Sequence, residues 1–199
     1  MGVDGETAMA SCVLGMGAEA HAREEAGLVR RCIAGDPEAF APIVRTYRDR
    51  LVDLAYRMLG DIDDAEAAVQ DALVHAYKGL GAFRHDSGIG TWLHRITVNE
   101  CLMRLRRARP CMPLADADRL EDVAGRAHER QLEASDQAHA ILALLPPMLR
   151  VVLVMREMHQ MPYDEIAVAT GAPVGTVRSR LWAARRRFAA LWRERFGEE

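Results

Sequence analysis

The chain has 199 residues, of which 50% are hydrophobic and only 6% aromatic, enough apolar surface for the core of one ordinary domain or two small ones. Abundant Ala, Leu, Arg, Glu and Asp favour helices over sheets. No stretch approaches the roughly 18 to 20 apolar residues that span a bilayer, and no basic start precedes an apolar run near the first residue, as a secretory signal requires. These features predict an all-α cytoplasmic protein without membrane insertion.

The formal net charge of −3 argues, taken alone, against a nucleic-acid partner. The distribution of charge points the other way, because residues 178–195 hold seven arginines and a single glutamate. A concentrated basic helix in an otherwise acidic chain is typical of a localised anion-binding surface. The alternative, a merely solvated basic face, has to be weighed against the pattern of the whole helix.

The first helices can be placed from their start and stop signals. Residues 1–24 are small and weakly patterned, which predicts a disordered arm. Asp36 precedes Pro37, as a capping side chain precedes a proline in the first turn. An apolar repeat at threes and fours follows, Gly60 ends that helix, and Asp61 can start the next.

Four glycines between positions 79 and 90 predict a loop, after which Thr91 opens a helix that runs to about Arg107. An acidic, proline-containing and poorly periodic stretch follows it. No alternating strand pattern appears anywhere. The sequence therefore predicts two small helical domains, 25–108 and 135–199, joined by a flexible acidic linker over 109–134.

The segment 163–188 has the layout of a helix-turn-helix. Ala167 is small enough for two helices to approach, Gly171 supplies the turn, and Val177 packs back on the first helix. Pro173 cannot continue the first helix but can begin the second. The second domain is therefore predicted to contain a DNA-reading helix.

On a helical wheel, the second helix of this motif separates an apolar stripe from a polar face. The stripe consists of Val174, Val177, Leu181, Ala184, Phe188 and Leu191. The candidate DNA contacts on the polar face and its margins are Gly175, Thr176, Arg178, Ser179, Arg180, Trp182, Arg185 and Arg186. A polar face between two arginine rows suits a major groove, where base edges lie at the centre and phosphates at the margins. No acid occurs between positions 174 and 193, whereas a plain surface helix more often interleaves glutamate with arginine.

The chain also resembles a known family. Residues 163–167 (YDEIA) and 174–181 (VGTVRSRL) resemble the fourth conserved region of extracytoplasmic-function sigma factors of bacterial RNA polymerase. The first domain resembles their second region through the segments 35–40 (GDPEAF), 64–71, 82–84 and 91–99. The two matches occur in the family's order, with a linker of suitable length between them.

The resemblance implies that the helix from Thr91 and its preceding loop hold the unpaired strand of the promoter −10 element. The residues implied in this role are Phe83, Arg84, His85, Trp92, Arg95, Asn99, Arg104, Arg106 and Arg107. Aromatic planes, cations and an amide suit base stacking, phosphate contact and base-edge hydrogen bonding. Core packing and DNA contact are equally open for Trp92.

The resemblance further implies core RNA polymerase as a partner. The helix after Asp61 would bind the clamp helices of the largest subunit, and the second domain would bind the flap of the second-largest subunit. The implied docking residues are Asp64, Glu66, Gln70 and Asp71, although Ala67 stands where the family usually has an acid. Promoter DNA and an anti-sigma factor complete the expected partners.

Two other classes of protein have to be compared with this one. A helix-turn-helix regulator acting without stable polymerase association would bind duplex DNA, and the single-strand face of the Thr91 helix argues against it. An enzyme with His75, His85 and His94 in its site is not favoured, since the sequence has no metal-type spacing, nucleophile motif or phosphate-binding loop. The cysteines at positions 12, 32, 101 and 111 show no metal-type spacing either, and no metal or cofactor is predicted.

Overall fold

The computed structural model describes residues 23–84, 86–107 and 134–197. Within these ranges every regular element is helical, which confirms the predicted all-α class. Positions 1–22 of the predicted arm, His85 and positions 109–133 of the predicted linker lie outside the described residues. Positions 23 and 24, which the sequence assigned to the arm, belong to a helix.

The first module consists of four α-helices and two short 3-10 helices. Its elements are α1 (23–33), a 3-10 helix (Pro37–Ala39), α2 (Phe40–Leu59), α3 (Ile62–Gly79), a 3-10 helix (Leu80–Ala82) and α4 (Ile89–Arg107). The predicted capping signals act as expected. The Asp36 carboxylate accepts a hydrogen bond from the Glu38 backbone at 3.1 Å, and Asp61 does the same for the Asp64 backbone at 2.9 Å. Gly60 ends α2 with a φ of 86°, in the left-handed region that glycine adopts without strain.

Helix α4 begins at Ile89, two residues earlier than the sequence predicted, and so includes Gly90 in its first turn. A close approach to α2 requires a glycine at this position, because a Cβ added at Gly90 would lie 2.4 Å from Tyr47 Cε1. The Tyr47 hydroxyl is itself held by Glu25 of α1, to which it donates a hydrogen bond at 2.5 Å. Gly90 is therefore a packing position and not a loop residue.

The second module contains the predicted helix-turn-helix. Its elements are α5 (Ala134–Ala143), α6 (Pro147–Glu157), α7 (Tyr163–Thr170) and α8 (Val174–Phe196). Gly171 ends α7 with a φ of 64°. The predicted apolar stripe of α8 faces inward, with Val177, Leu181 and Ala184 fully buried. This geometry confirms the helix-turn-helix and its core face.

The two modules are packed on each other, an arrangement that the sequence did not predict. Helix α7 packs along α4, while α5 and α6 pack against α2. One continuous hydrophobic cluster includes Leu54 of the first module and Leu181 of the second. In the part of the chain that the structure describes, no helix is both long and apolar enough to cross a membrane.

Candidate functional site

The predicted DNA face of α8 is largely open to solvent. Arg178 and Ser179 are exposed at its beginning, and Trp182 is 61% exposed. The guanidinium carbon of Arg186 lies 4.6 Å from the centroid of the Trp182 ring, within the range of a cation–π contact. The arrangement presents an aromatic plane and a cation side by side, without an acidic neighbour on the same helix face.

Three further residues of this face have particular local environments. The Ser179 hydroxyl donates to the Thr176 backbone carbonyl at 3.0 Å, so this hydroxyl is held against the preceding turn of α8. A Cβ built at Gly175 would meet no atom within 4 Å, which leaves the backbone accessible to a large ligand. Arg180 is half-buried. The first turns of α8 therefore offer both backbone and side-chain donors.

Arg185 differs from the other arginines of α8 because it is paired within the protein. Its guanidinium donates to Glu157 at the end of α6, with the shorter bond at 2.6 Å. This hydrogen bond raises the pKa of Arg185 above its ordinary value. The sequence predicted Arg185 as a DNA contact. In the structure Glu157 already binds the Arg185 guanidinium, so a DNA phosphate would have to compete with Glu157 for it.

Helix α4 presents its predicted DNA residues along one narrow exposed edge. Arg95, Asn99 and Arg106 are exposed along this edge, and Arg107 is exposed at the end of the helix. Most other sides of α4 are covered, because α2, α3 and α7 pack around it. An exposed amide between two exposed cations is suited to a single strand, in which phosphate and base edge are offered together.

Trp92 and Phe83, both predicted to contact DNA, are packed against each other. Their ring centroids are 5.1 Å apart. Phe83 is buried, and the far edge of the Trp92 ring lies 3.7 Å from the Cβ position of Gly79. Trp92 keeps part of its surface open. These contacts favour the packing role of the two rings, which fixes the start of α4 against the end of α3.

Of the remaining predicted −10 residues, Arg84 lies before α4 and Arg104 lies in its last turn. Arg84 is exposed directly after Phe83, and His85 lies outside the described residues. Arg104 is half-buried and donates to the Asp71 carboxylate at 2.6 Å. The structure thus joins a residue predicted to bind DNA to one predicted to bind polymerase.

The predicted polymerase-docking residues line the exposed side of α3. Asp64, Glu66, Gln70 and Asp71 are all exposed, and Glu66 accepts a hydrogen bond from Arg48 of α2 at 2.9 Å. The structure adds apolar residues to this surface that the sequence reasoning missed. Ile62, Val74 and Tyr77 are large exposed hydrophobic side chains of the same helix. The helical wheel of α3 could have predicted this exposure, because these three apolar residues fall on its polar side.

A second side-chain contact between α3 and α4 was also missed. His75 Nδ1 lies 2.8 Å from Glu100 Oε1, and Glu100 is buried although it is an acid. Together with the pair between Asp71 and Arg104, it fixes the register of the docking helix against the predicted −10 helix. Among the described residues, no group of three or more His, Cys, Asp or Glu side chains is placed to hold a metal ion.

Comparison with known proteins places both modules in one family. The Sigma-70 region 2 family matches residues 43–110, and the Sigma-70 region 4 family matches residues 135–188. The ECF RNA polymerase sigma factor SigM of Mycobacterium tuberculosis is 37% identical over 173 residues, covering 86% of this chain and 86% of the relative. The ECF sigma-E factor of Escherichia coli is 36% identical over 172 residues, covering 79% of this chain and 88% of the relative.

A solved structure agrees with these sequence relatives. The sigma factor RpoE of Bartonella quintana, solved in complex with the anti-sigma factor NepR, has a TM-score of 0.61 and 25% sequence identity. The match covers 77% of this chain and 96% of that one, so it includes both modules. Because both sigma regions occur in order and the relatives match over most of its length, the chain belongs to the extracytoplasmic-function family of RNA polymerase sigma factors.

Proposed function

We propose that this sigma factor directs core RNA polymerase to promoters by reading a −35 element with α8 and trapping an unpaired −10 base with α4. The observation that carries the proposal is the presence of two different exposed basic faces, one on each module. α8 offers a broad surface of arginines around an exposed tryptophan, which suits a duplex groove. α4 offers a narrow edge with an exposed amide, which suits a single strand.

On α8 we assign direct base contact to the first three turns and phosphate contact to the margins. Arg178, Ser179 and Trp182 are exposed on the side away from the buried stripe, and Gly175 and Thr176 bring the backbone close. Arginine pairs bidentately with guanine, and an exposed ring can contact a thymine methyl. The assignment to the phosphate margins covers Arg180, Arg185 and Arg186.

On α4 we assign the −10 contacts to the exposed edge and a supporting role to the packed rings. Asn99 would bind the edge of a flipped base, and Arg95 and Arg106 would hold the adjacent phosphates. Phe83 and Trp92 would shape the loop before α4, and Arg84 and His85 are further candidate contacts by their place in the sequence. Arg104 and Arg107 would extend the phosphate track.

Docking on the polymerase would use the exposed side of α3. Exposed carboxylates and an amide beside the apolar side chains of Ile62 and Val74 form a mixed surface of the kind that protein interfaces use. The clamp helices of the largest subunit are the proposed partner there, and the flap of the second-largest subunit is the partner of the second module. We further propose that the protein acts in the cytoplasm by binding alone, that polymerase supplies the chemistry, and that an anti-sigma factor controls it.

The energetics explain why the two modules would need polymerase. A good base contact contributes about 1 to 3 kcal/mol of discrimination, whereas flipping a base costs a few kcal/mol. Neither module alone provides a large surplus. Polymerase would hold both in register, so that the −35 contacts offset the cost of opening the −10 element.

The proposal is tested by gel filtration with purified core polymerase, followed by permanganate probing of unpaired thymines on promoter DNA. We expect the chain to co-elute with core polymerase and the complex to expose thymines near the −10 element. The proposal would be overturned if the chain stayed separate from core polymerase and bound duplex DNA tightly and specifically by itself. That second result would identify a conventional helix-turn-helix regulator.

A further inference from the structure

Helices α3 and α4 have different proposed tasks and lie directly against each other. α3 presents the proposed polymerase-docking residues on its exposed side, and α4 presents the proposed −10 residues on its exposed edge. The displacement of α4 along α3 therefore decides where Asn99 lies relative to a polymerase bound at α3. A contact that fixes this displacement affects base capture without touching DNA.

The apolar part of α3 fixes the displacement only weakly. Its buried residues are alanines and one valine, namely Ala65, Ala68, Val69, Ala72 and Ala76. Packed helices are held in register when the side-chain ridges of one fit the grooves of the other, and alanine contributes a single methyl group. These small side chains let the helices come close but provide little that interlocks.

Two polar contacts cross from α3 to α4 at matching intervals. The Arg104 guanidinium donates to the Asp71 carboxylate at 2.6 Å, and one turn along both helices His75 Nδ1 lies 2.8 Å from Glu100 Oε1. The paired positions are four residues apart on each helix and run in opposite directions, as they do between antiparallel helices. A shift by one turn would set carboxylate against carboxylate or histidine against arginine. Only the observed register gives each of the four groups a suitable partner.

The contact of His75 with Glu100 is distinctive because its acid is buried. Glu100 is 8% exposed, and a carboxylate at such a site needs a hydrogen-bond donor. An ionised carboxylate can only accept, so the Nδ1 hydrogen of His75 faces it. The His75 side chain is itself 56% exposed, one turn beyond the proposed docking residue Asp71. The contact therefore joins the surface of α3 to an acid inside the packing of α4.

Glu100 is also the direct neighbour of Asn99, which the proposed function places at the flipped base. Asn99 is exposed while Glu100 is buried, so the two residues lie on different sides of α4. Consecutive residues of a helix are about 100° apart around its axis. Holding the Glu100 side chain in place therefore fixes the rotation of this turn of α4, and with it the orientation of Asn99.

We propose that His75 and Glu100 are positioning residues for −10 recognition. Their contact sets the register and rotation of α4 on the docking helix, and so orients the Asn99 amide toward the base. Neither residue contacts DNA in this role. The role rests on the proposed function, in which α4 captures an unpaired base.

The test measures binding of single-stranded DNA by the assembled holoenzyme. The probe is an oligonucleotide with the −10 block that the wild-type holoenzyme selects, and a second probe is abasic at the trapped position. The ratio of the two affinities isolates the base contact, because both probes offer the same phosphates. Glu100→Met keeps the side-chain volume and removes the acceptor. We expect it to lower this ratio about tenfold, within the range of one base contact.

Two further variants of α4 serve as rescue and control. Glu100→Gln keeps an acceptor for the His75 hydrogen and should retain most of the ratio. Thr97→Val should leave the ratio unchanged, since Thr97 is also buried but its hydroxyl has no hydrogen-bond partner among the residues that the structure describes. Affinity for core polymerase and for a −35 duplex should stay the same in all three variants. An unchanged ratio in Glu100→Met, or an equal loss in Thr97→Val, would overturn the proposal.

A double variant separates positioning from a merely structural role. His75→Leu leaves a buried carboxylate without its donor and should lower the equilibrium constant for folding by about tenfold. Adding Glu100→Met should recover most of that loss, because the contact then leaves no buried carboxylate unpaired. The affinity ratio should nevertheless stay low in the double variant. A ratio that recovers together with stability would contradict positioning by this contact.

The proposed function and the positioning role fail in different ways in these measurements. If the wild-type holoenzyme binds the intact and the abasic probe equally, α4 does not capture a base, and the proposed function is wrong together with the positioning role. If the wild type prefers the intact probe and Glu100→Met prefers it to the same extent, only the positioning role is wrong.

Discussion

The two candidate DNA helices differ in how much of each is committed to the fold. α4 has neighbours on three sides, and nine of its residues from Ile89 to Cys101 are buried. α8 is longer, yet only Val177, Leu181 and Ala184 are fully buried. A helix buried on most sides can present only one edge, whereas a helix anchored by a single stripe can offer a broad surface. The single exposed edge of α4 therefore suits a single strand, and the broad surface of α8 suits a duplex groove.

The largest expected effect compares two glycines in the same position of the two helices. Gly90 and Gly175 are each the second residue of their helix, but a Cβ would lie 2.4 Å from Tyr47 at Gly90 and would meet nothing at Gly175. Gly90→Ala should lower the free energy of unfolding by up to about 3 kcal/mol through overpacking. Gly175→Ala should leave it unchanged or raise it by up to about 1 kcal/mol.

Chemical denaturation of both variants measures this pair, with Gly88→Ala as a loop control, since a Cβ at Gly88 also meets no atom. Equal stability of Gly90→Ala and Gly175→Ala would show that α4 is not crowded by α2. The description of α4 as a helix committed to packing would then fail.

The comparison also shows what a sequence can and cannot predict. The faces of α8 were predicted from its wheel, because a single buried stripe leaves a regular trace at threes and fours. The first turn of α4 was not predicted, because the sequence assigned Gly90 to a loop. The need for a glycine there comes from the neighbouring Tyr47 ring, which only the structure shows. Contacts such as that of Thr91 with Glu165 join positions 74 residues apart. Such pairs leave no local pattern that one sequence can display.

A second prediction concerns the groove-reading face. Arg178→Ala should weaken binding of the holoenzyme to a −35 duplex about tenfold, close to 1.4 kcal/mol and within the range of one base contact. Arg193→Ala is the control, since Arg193 lies in the last turns of α8 and donates to the Ala189 carbonyl. Fluorescence anisotropy at several salt concentrations measures both. An equal loss in the two variants would reduce α8 to a non-specific basic surface.

A third prediction uses pH to distinguish the packing of the two modules from groove binding by α8. Burial where the two modules pack on each other lowers the pKa of His94 and of His159. Arg50 disfavours protonation of both rings and Arg57 that of His159, while Glu165 favours it at His94 and Asp53 at His159. Separation of the two modules would return each histidine toward its ordinary pKa of about 6.5. The contribution of the two histidines to the packing of the modules is therefore fully present above that value and is lost as pH falls through the lowered values.

Lowering the pH from about 7.5 to about 5.5 should therefore speed proteolysis between the modules several-fold. The double variant His94→Gln and His159→Gln should lose most of this pH dependence. The exposed face of α8 contains no histidine, so groove binding by the holoenzyme should change little. A pH dependence that survives in the double variant would assign the titration to other groups.

The smallest expected effect concerns the paired arginine of α8. Glu157→Gln frees Arg185 from a pair whose side chains are about half exposed. Exposed pairs contribute at most about 1 kcal/mol, so affinity for the −35 duplex should rise by no more than a few-fold, with a slightly steeper salt dependence. The matched change Glu194→Gln, near the end of α8, should have no effect. A large gain would identify Glu157 as a gate on DNA binding.

The most direct test of two-face promoter recognition is transcription by core polymerase, with and without this chain, from a library randomised upstream of the start site. The two-face mechanism predicts that the chain selects two sequence blocks at a fixed separation. Arg178→Ala should relax only the upstream block, and Asn99→Ala only the downstream one. Selection of a single block, or start sites that are the same with and without the chain, would contradict it.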